Sequence, residues 1–103
     1  MLELKDFEAA YNKVQEVVLP TKLIKSDYFS DQTGNDVYLK PENMQLTGAY
    51  KIRGAYYKIS TLSEEEKAKG LITASAGNHA QGVALAAARQ GVKATIVMPT
   101  TTP

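Results

Sequence analysis

A lysine in the segment TGAYKIRGA (residues 47–55) has surroundings in which an amine could do covalent chemistry. Lys51 follows the aromatic Tyr50, and no acidic residue lies within several positions on either side. The apolar spacing that begins here predicts a helix, with Lys51 in its first turn. The positive end of the helix dipole and any burial both disfavour a charged amine. Because Schiff-base formation requires the uncharged amine, Lys51 is a candidate nucleophile; a solvated surface lysine is the alternative.

The second candidate is the turn SAGNHAQG, residues 75–82. It joins the carboxyl end of a predicted parallel strand to a helix, which is where open α/β sheets place ligands. Unpaired N–H groups and the helix dipole would stabilise an anion there. Gly77 would let a ligand approach the backbone, and Ser75, Asn78 and His79 offer neutral polar side chains. The alternative is that Asn78 only caps the helix and His79 lies on the surface.

This turn does not carry the phosphate-binding patterns of two large nucleotide-binding classes. It lacks G-x-G-x-x-G, the dinucleotide fingerprint, and it lacks the G-K-[ST] of a P-loop. The sequence therefore argues against both classes.

Apolar spacing predicts the elements that precede the turn. Residues 5–18 are predicted to form an amphipathic helix. Residues 23–30 and 36–40 are predicted to be strands joined by a hairpin-like connection, and residues 41–48 an irregular loop. One apolar face marks the helix after Tyr50, and Gly54 inside it indicates a packing or functional reason for a small residue. This face is predicted to contain Ile52, Ala55, Tyr56 and Ile59.

The last third of the chain is predicted to be a βαβ unit. Ser63 and Glu66 form a capping-box pattern for a short helix that ends at Gly70. The strand LITASA (71–76), a turn, a helix and the strand KATIVMP (93–99) follow in order. Two parallel strands joined by a helix indicate an α/β fold. One helix face is predicted to contain Ala80, Val83, Ala84, Ala87 and Ala88.

Composition restricts the function classes. The chain has 103 residues, a net charge of +1 and no cysteine. These values give no electrostatic reason to expect nucleic acid or an acidic membrane as partner, and they exclude disulfides and thiolate metal sites. The first residues do not form a secretory signal, and no apolar stretch approaches the roughly 20 residues needed to span a bilayer, so we expect a cytoplasmic protein. No metal site is predicted. The last residues follow a parallel strand directly, so we expect the chain to be the front portion of a longer protein.

The motifs GAYKIRGAYYKIS and TASAGNHAQGVALAA resemble those of threonine dehydratases (threonine deaminases), which are fold-type II pyridoxal-phosphate enzymes of the tryptophan-synthase-β type. The similarity extends over nearly the whole chain. It implies a partial fold-type II structure, with an incomplete parallel sheet and flanking helices. In the full protein this would be a three-layer α/β fold. Residues 1–40 would belong to the large domain and residues 41–103 to the small domain.

The resemblance implies a role for each candidate residue. The lysine matching Lys51 binds pyridoxal 5'-phosphate covalently and transfers protons at the substrate Cα. Tyr50, where the family usually has phenylalanine, would lie close to the cofactor ring. The asparagine matching Asn78 donates a hydrogen bond to the phenolic oxygen of the cofactor. The turn formed by Ser75, Ala76, Gly77, Asn78 and His79 would bind the substrate carboxylate.

The implied reaction is the dehydration and deamination of threonine, or of serine, to a 2-oxo acid and ammonia, as in isoleucine biosynthesis. Serine racemases of the family usually have a second serine where this chain has Ala76, so elimination is favoured over racemisation. The same residues also allow another fold-type II enzyme, a non-catalytic small-molecule-binding module or an assembly fragment. We expect the 103-residue chain alone to be inactive and to bind the cofactor weakly, and we expect the full-length protein to be a homo-oligomer, as is usual in the family.

Overall fold

The structure, a computed structural model, describes all 103 residues. The chain forms five α-helices and two sheets of two short strands each. A short 3₁₀ turn, Glu42–Met44, precedes the third helix. The elements are α1 (Leu4–Val14), β1 (Ile24–Lys25), α2 (Asp27–Thr33), β2 (Tyr38–Leu39), α3 (Lys51–Ser60), α4 (Glu64–Lys69), β3 (Leu71–Ala74), α5 (Asn78–Arg89) and β4 (Ala94–Val97).

The segment between α1 and the 3₁₀ turn differs from the sequence prediction. Residues 27–30 were expected in a strand, but they lie in α2, and only Ile24–Lys25 and Tyr38–Leu39 pair, in an antiparallel ladder. Ser26 caps α2 because its Oγ accepts a hydrogen bond from the Phe29 N–H. Gly34 ends α2 in the left-handed conformation, with φ of 69°. The predicted hairpin connection is therefore wrong; a capped helix joins the two strands.

The core lies between α3 and α5. The predicted face of α3 is confirmed, since Ile52, Ala55, Tyr56 and Ile59 are all buried. The face of α5 is rotated from the prediction, because Ala84 and Ala88 are exposed. The core cluster contains Val17, Ile52, Ala55, Tyr56, Ile59, Val83, Ala86, Ala87 and Val92. Helix α1 packs on α3 through Val14, and it is shorter than the predicted residues 5–18.

The βαβ unit is confirmed. Strands β3 and β4 pair in parallel, with Leu71 opposite Ala94 and Ala74 opposite Val97. Helix α5 begins at Asn78, so most of the predicted turn GNHAQG is already helical. Helix α4 has the predicted capping box of Ser63 and Glu66. No helix of the structure has the length and apolar composition needed to cross a membrane.

Candidate functional site

Lys51 is the first residue of α3 and is half-buried. Its Nζ lies 5.1 Å from the centroid of the Tyr50 ring, within the range of a cation–π contact. No carboxylate lies within salt-bridge distance of this amine, whereas Lys5, Lys13 and Lys25 all pair with acidic side chains. Lys51 is therefore an amine without an anionic partner, held at the start of a helix and beside an aromatic face.

The turn after β3 is organised by Ser75. Its N–H donates to the Val97 carbonyl at 3.0 Å, which attaches the turn to the parallel sheet. Its Oγ accepts from the N–H groups of Gly77 and Ala80, both at 3.3 Å. The N–H groups of Asn78 and His79, at the first two positions of α5, have no acceptor. They are exposed at the positive end of the helix dipole, an arrangement that stabilises a bound anion.

The structure brings some of the predicted residues together. Tyr50, Lys51 and His79 line one pocket of about 310 Å³, so the start of α5 lies beside the start of α3. Asn78 precedes His79 on α5, outside the lining of this pocket. The other residues of the predicted carboxylate-binding turn, Ser75, Ala76 and Gly77, also lie outside that lining.

The ion pair between Arg53, two residues after Lys51, and Glu42 was not predicted from the sequence. Arg53 donates to both oxygens of Glu42, from Nε and Nη2, at 2.8 Å each. Thr21 Oγ1 donates to the same carboxylate at 2.7 Å. The Arg53 hydrogen bonds are the main reason why the pKa of Glu42 falls from its ordinary 4.5 to about 2, although desolvation opposes the change. This bidentate pair attaches the first turn of α3 to the preceding loop.

Gln45 extends this attachment to the segment after α1. Its side-chain amide pairs with both backbone groups of Leu19: Oε1 accepts from the N–H and Nε2 donates to the carbonyl, at 2.9 Å each. Gln45 is buried, so these bonds satisfy polar atoms that water does not reach. The only sequence signal was the polar composition of the loop, because partners 26 positions apart leave no periodic pattern.

The arrangement fits a ligand with three features. The free amine of Lys51 can attack an aldehyde, the exposed Tyr50 ring can lie against an aromatic group, and the free N–H groups of Asn78 and His79 can bind an anion.

Known proteins share this sequence and fold. A family model described as pyridoxal-phosphate-dependent enzyme matches residues 14–103. L-threonine ammonia-lyase of Thermotoga maritima is 56% identical over 99 residues, which are 96% of this chain and 25% of that protein.

Two solved structures extend the similarity to the fold. The processed form of threonine deaminase isoform 2 from Solanum lycopersicum is 44% identical and has a TM-score of 0.81, over 99% of this chain and 30% of that one. Serine racemase from Dictyostelium discoideum is 35% identical and has a TM-score of 0.91, over 99% of this chain and 34% of that one. This chain thus spans between a quarter and about a third of the proteins that it resembles.

Proposed function

This chain belongs to the pyridoxal-phosphate-dependent enzyme family, and we propose that it supplies the reactive lysine and the carboxylate-binding turn of a threonine ammonia-lyase. The family resemblance and the α/β fold class that we predicted from the sequence are both confirmed. The observation that most supports the proposal is the pocket shared by Lys51 and His79. It places an amine that can form an imine beside the helix end that can bind an anion.

The residues of this chain fit the cofactor. Lys51 would hold the aldehyde carbon covalently, and the Tyr50 ring, which is 59% exposed, would lie against the pyridine ring. Asn78 lies outside the lining of the Lys51 pocket, and its role rests on the family resemblance: its side-chain amide would donate to the phenolic oxygen. When bound, pyridoxal phosphate supplies the electron sink that lowers the barrier to proton removal at the substrate Cα.

Two tasks would fall to the protein during the reaction. The N–H groups at the start of α5 would orient the substrate by binding its carboxylate. The Lys51 amine, once substrate has displaced it, would remove the proton from Cα, and loss of the β-hydroxyl as water would follow. Ala76 has no hydroxyl and cannot act as a second base on the opposite face. The sequence therefore favours elimination over racemisation.

Reductive trapping tests the proposal. The full-length protein is incubated with pyridoxal phosphate and reduced with borohydride, and the modified lysine is mapped by mass spectrometry. We expect label at Lys51 and none there in Lys51→Ala. Lys58→Ala is the matched control, because Lys58 is an exposed lysine further along α3, and it should leave the label at Lys51 unchanged. Label spread evenly over many lysines would contradict the proposal.

The substrate is tested separately. Incubation of the full-length protein with L-threonine should release 2-oxobutanoate and ammonia in equal amounts. Racemisation is the second candidate function, favoured by the close structural match to serine racemase. Formation of D-serine from L-serine, faster than release of ammonia, would favour it over the lyase.

A further inference from the structure

Helix α5 touches the start of α3 at Gly82. This glycine is buried in the second turn of α5, and its backbone faces the first turn of α3. A Cβ at this position would lie 3.1 Å from the carbonyl carbon of Lys51, 3.2 Å from the Ile52 nitrogen and 3.2 Å from the Lys51 Cβ. The two helices therefore approach each other closely at the residue that carries the amine.

The three atoms that crowd this position cannot rotate away. Two belong to the backbone, and the third is the Cβ of Lys51, so a methyl group at position 82 would have to push the first turn of α3 by a few tenths of an ångström. Ile52 is fully buried and resists such a shift, because a packed core has few empty spaces into which it can move. Any movement would be passed to the Lys51 side chain.

Gly82 differs in this respect from the other glycine within a helix. Gly54 in α3 was expected to have a reason for its small size, but a Cβ there would meet nothing within 4 Å. The packing reason lies instead at Gly82, which the sequence placed in a turn.

We propose that Gly82 is a positioning residue: it sets the separation between the Lys51 amine and the anion-binding start of α5. The inference rests on the proposed function, because position affects catalysis only if Lys51 is the reactive amine. A lysine amine and an anion site that act on one small substrate must be held at a fixed separation. Misplacement of a reacting group by about 1 Å can lower the rate by roughly a hundredfold.

The test compares Gly82→Ala and Gly82→Ser with Ala84→Ser in the full-length protein. Ala84→Ser adds an atom to the exposed side of the same helix and is the matched control. Each protein is titrated with pyridoxal phosphate and trapped with borohydride, and label at Lys51 is divided by the folded fraction measured by circular dichroism. At limiting cofactor, we expect both Gly82 variants to lose label at Lys51 by about tenfold, and we expect their kcat for threonine to fall. The loss is smaller than the roughly hundredfold cost of a misplacement by about 1 Å, because the expected shift is only a few tenths of an ångström. Label on other lysines and the control variant should not change.

Each remaining outcome decides against the inference in its own way. If wild-type Lys51 is labelled selectively and the folded Gly82 variants match it, the positioning role is wrong and the proposed function stands. If wild-type Lys51 is not selectively labelled, the proposed function fails and the inference fails with it. If the Gly82 variants fold only in part, and their loss of label is fully explained by the loss of folded protein, the glycine serves stability alone, which also overturns a positioning role.

Discussion

At the scale of single residues, Lys51 combines half-burial at the start of α3 with the absence of a carboxylate partner. Arg53, two positions further along α3, pairs with Glu42. The Lys51 amine instead faces an aromatic ring and a pocket. No carboxylate therefore occupies the space through which an aldehyde would approach the amine.

Replacement of Lys51 by arginine distinguishes the role of Lys51 as a nucleophile from its role as a positive charge. Arginine keeps the positive charge and the helix-forming tendency, but it cannot form an imine or deprotonate near neutral pH. In the full-length protein, on the proposed function, we expect Lys51→Arg to lower kcat for threonine by about 10²–10⁴-fold, the range typical of lost proton transfer. Steady-state kinetics of ammonia release would measure this. Activity within a few-fold of wild type would show that only the charge of Lys51 matters.

Ala76 offers a gain-of-function test. The side chain is exposed in the turn between Ser75 and Gly77. A hydroxyl there would supply the second base that racemisation requires. In the full-length protein, we expect Ala76→Ser to produce D-serine from L-serine, detected by chiral chromatography, while Ala76→Gly, which adds no hydroxyl, produces none. Equal D-serine from both variants would remove Ala76 from the choice between elimination and racemisation.

At the scale of elements, the sequence predicted what local periodicity determines. The buried face of α3 and the βαβ order were correct because both depend on apolar spacing within short segments. Residues 27–30 were wrongly expected to be a strand because Tyr28 and Phe29 favour strands. The signal for α2 was present in its caps, Ser26 before it and Gly34 after it, and these outweigh side-chain propensity in so short a segment.

Local periodicity and capping patterns could not predict the contacts between elements. The Glu42–Arg53 pair and the Gln45–Leu19 pair join segments that have no shared period. The contact of Gly82 with Lys51 likewise depends on how two helices cross. The candidate residues were therefore identifiable from motifs, whereas the residues that hold them in place required the structure.

The Glu42–Arg53 pair gives a pH-dependent prediction. Because the pKa of Glu42 is about 2 in the folded chain and 4.5 ordinarily, the pair stabilises the fold fully above pH 4.5 and loses its effect as the pH falls toward 2. We expect Glu42→Gln to lower the free energy of unfolding by about 1–3 kcal/mol at pH 7, since it weakens hydrogen bonds to a charged group. The difference from wild type should shrink below pH 4.5 in urea titrations.

Glu64→Gln is the matched control for Glu42→Gln. Glu64 pairs with Lys67 on α4, but its side chain is 91% exposed. We expect Glu64→Gln to lower the free energy of unfolding by less than about 1 kcal/mol, because solvent screens an exposed pair. Equal losses for both variants, or a Glu42→Gln loss that stays constant down to pH 2, would contradict the structural role given to the Arg53 pair.

At the scale of the whole molecule, the chain is more extended than a closed domain. Its radius of gyration is 16.6 Å, whereas about 13 Å is typical of a compact domain of this length. The two sheets are separate, and residues 22–40 contain no buried side chain. Burial is concentrated where α3 meets α5, so the part of the molecule that carries Lys51 and His79 is also the part that is best packed.

Two isoleucines test this uneven distribution of stability. Ile59 is 4% exposed between α3 and α5, whereas Ile72 on β3 is 76% exposed, on the face of the sheet that α5 does not cover. In the 103-residue chain we expect Ile59→Ala to lower the free energy of unfolding by about 2–5 kcal/mol, through lost burial and a cavity. Ile72→Ala should change it by less than about 0.5 kcal/mol, because the side chain already meets solvent. Urea denaturation followed by circular dichroism measures both. Similar losses would show that the outer face of the sheet is covered in solution, and that this chain is stabilised by contacts beyond those between α3 and α5.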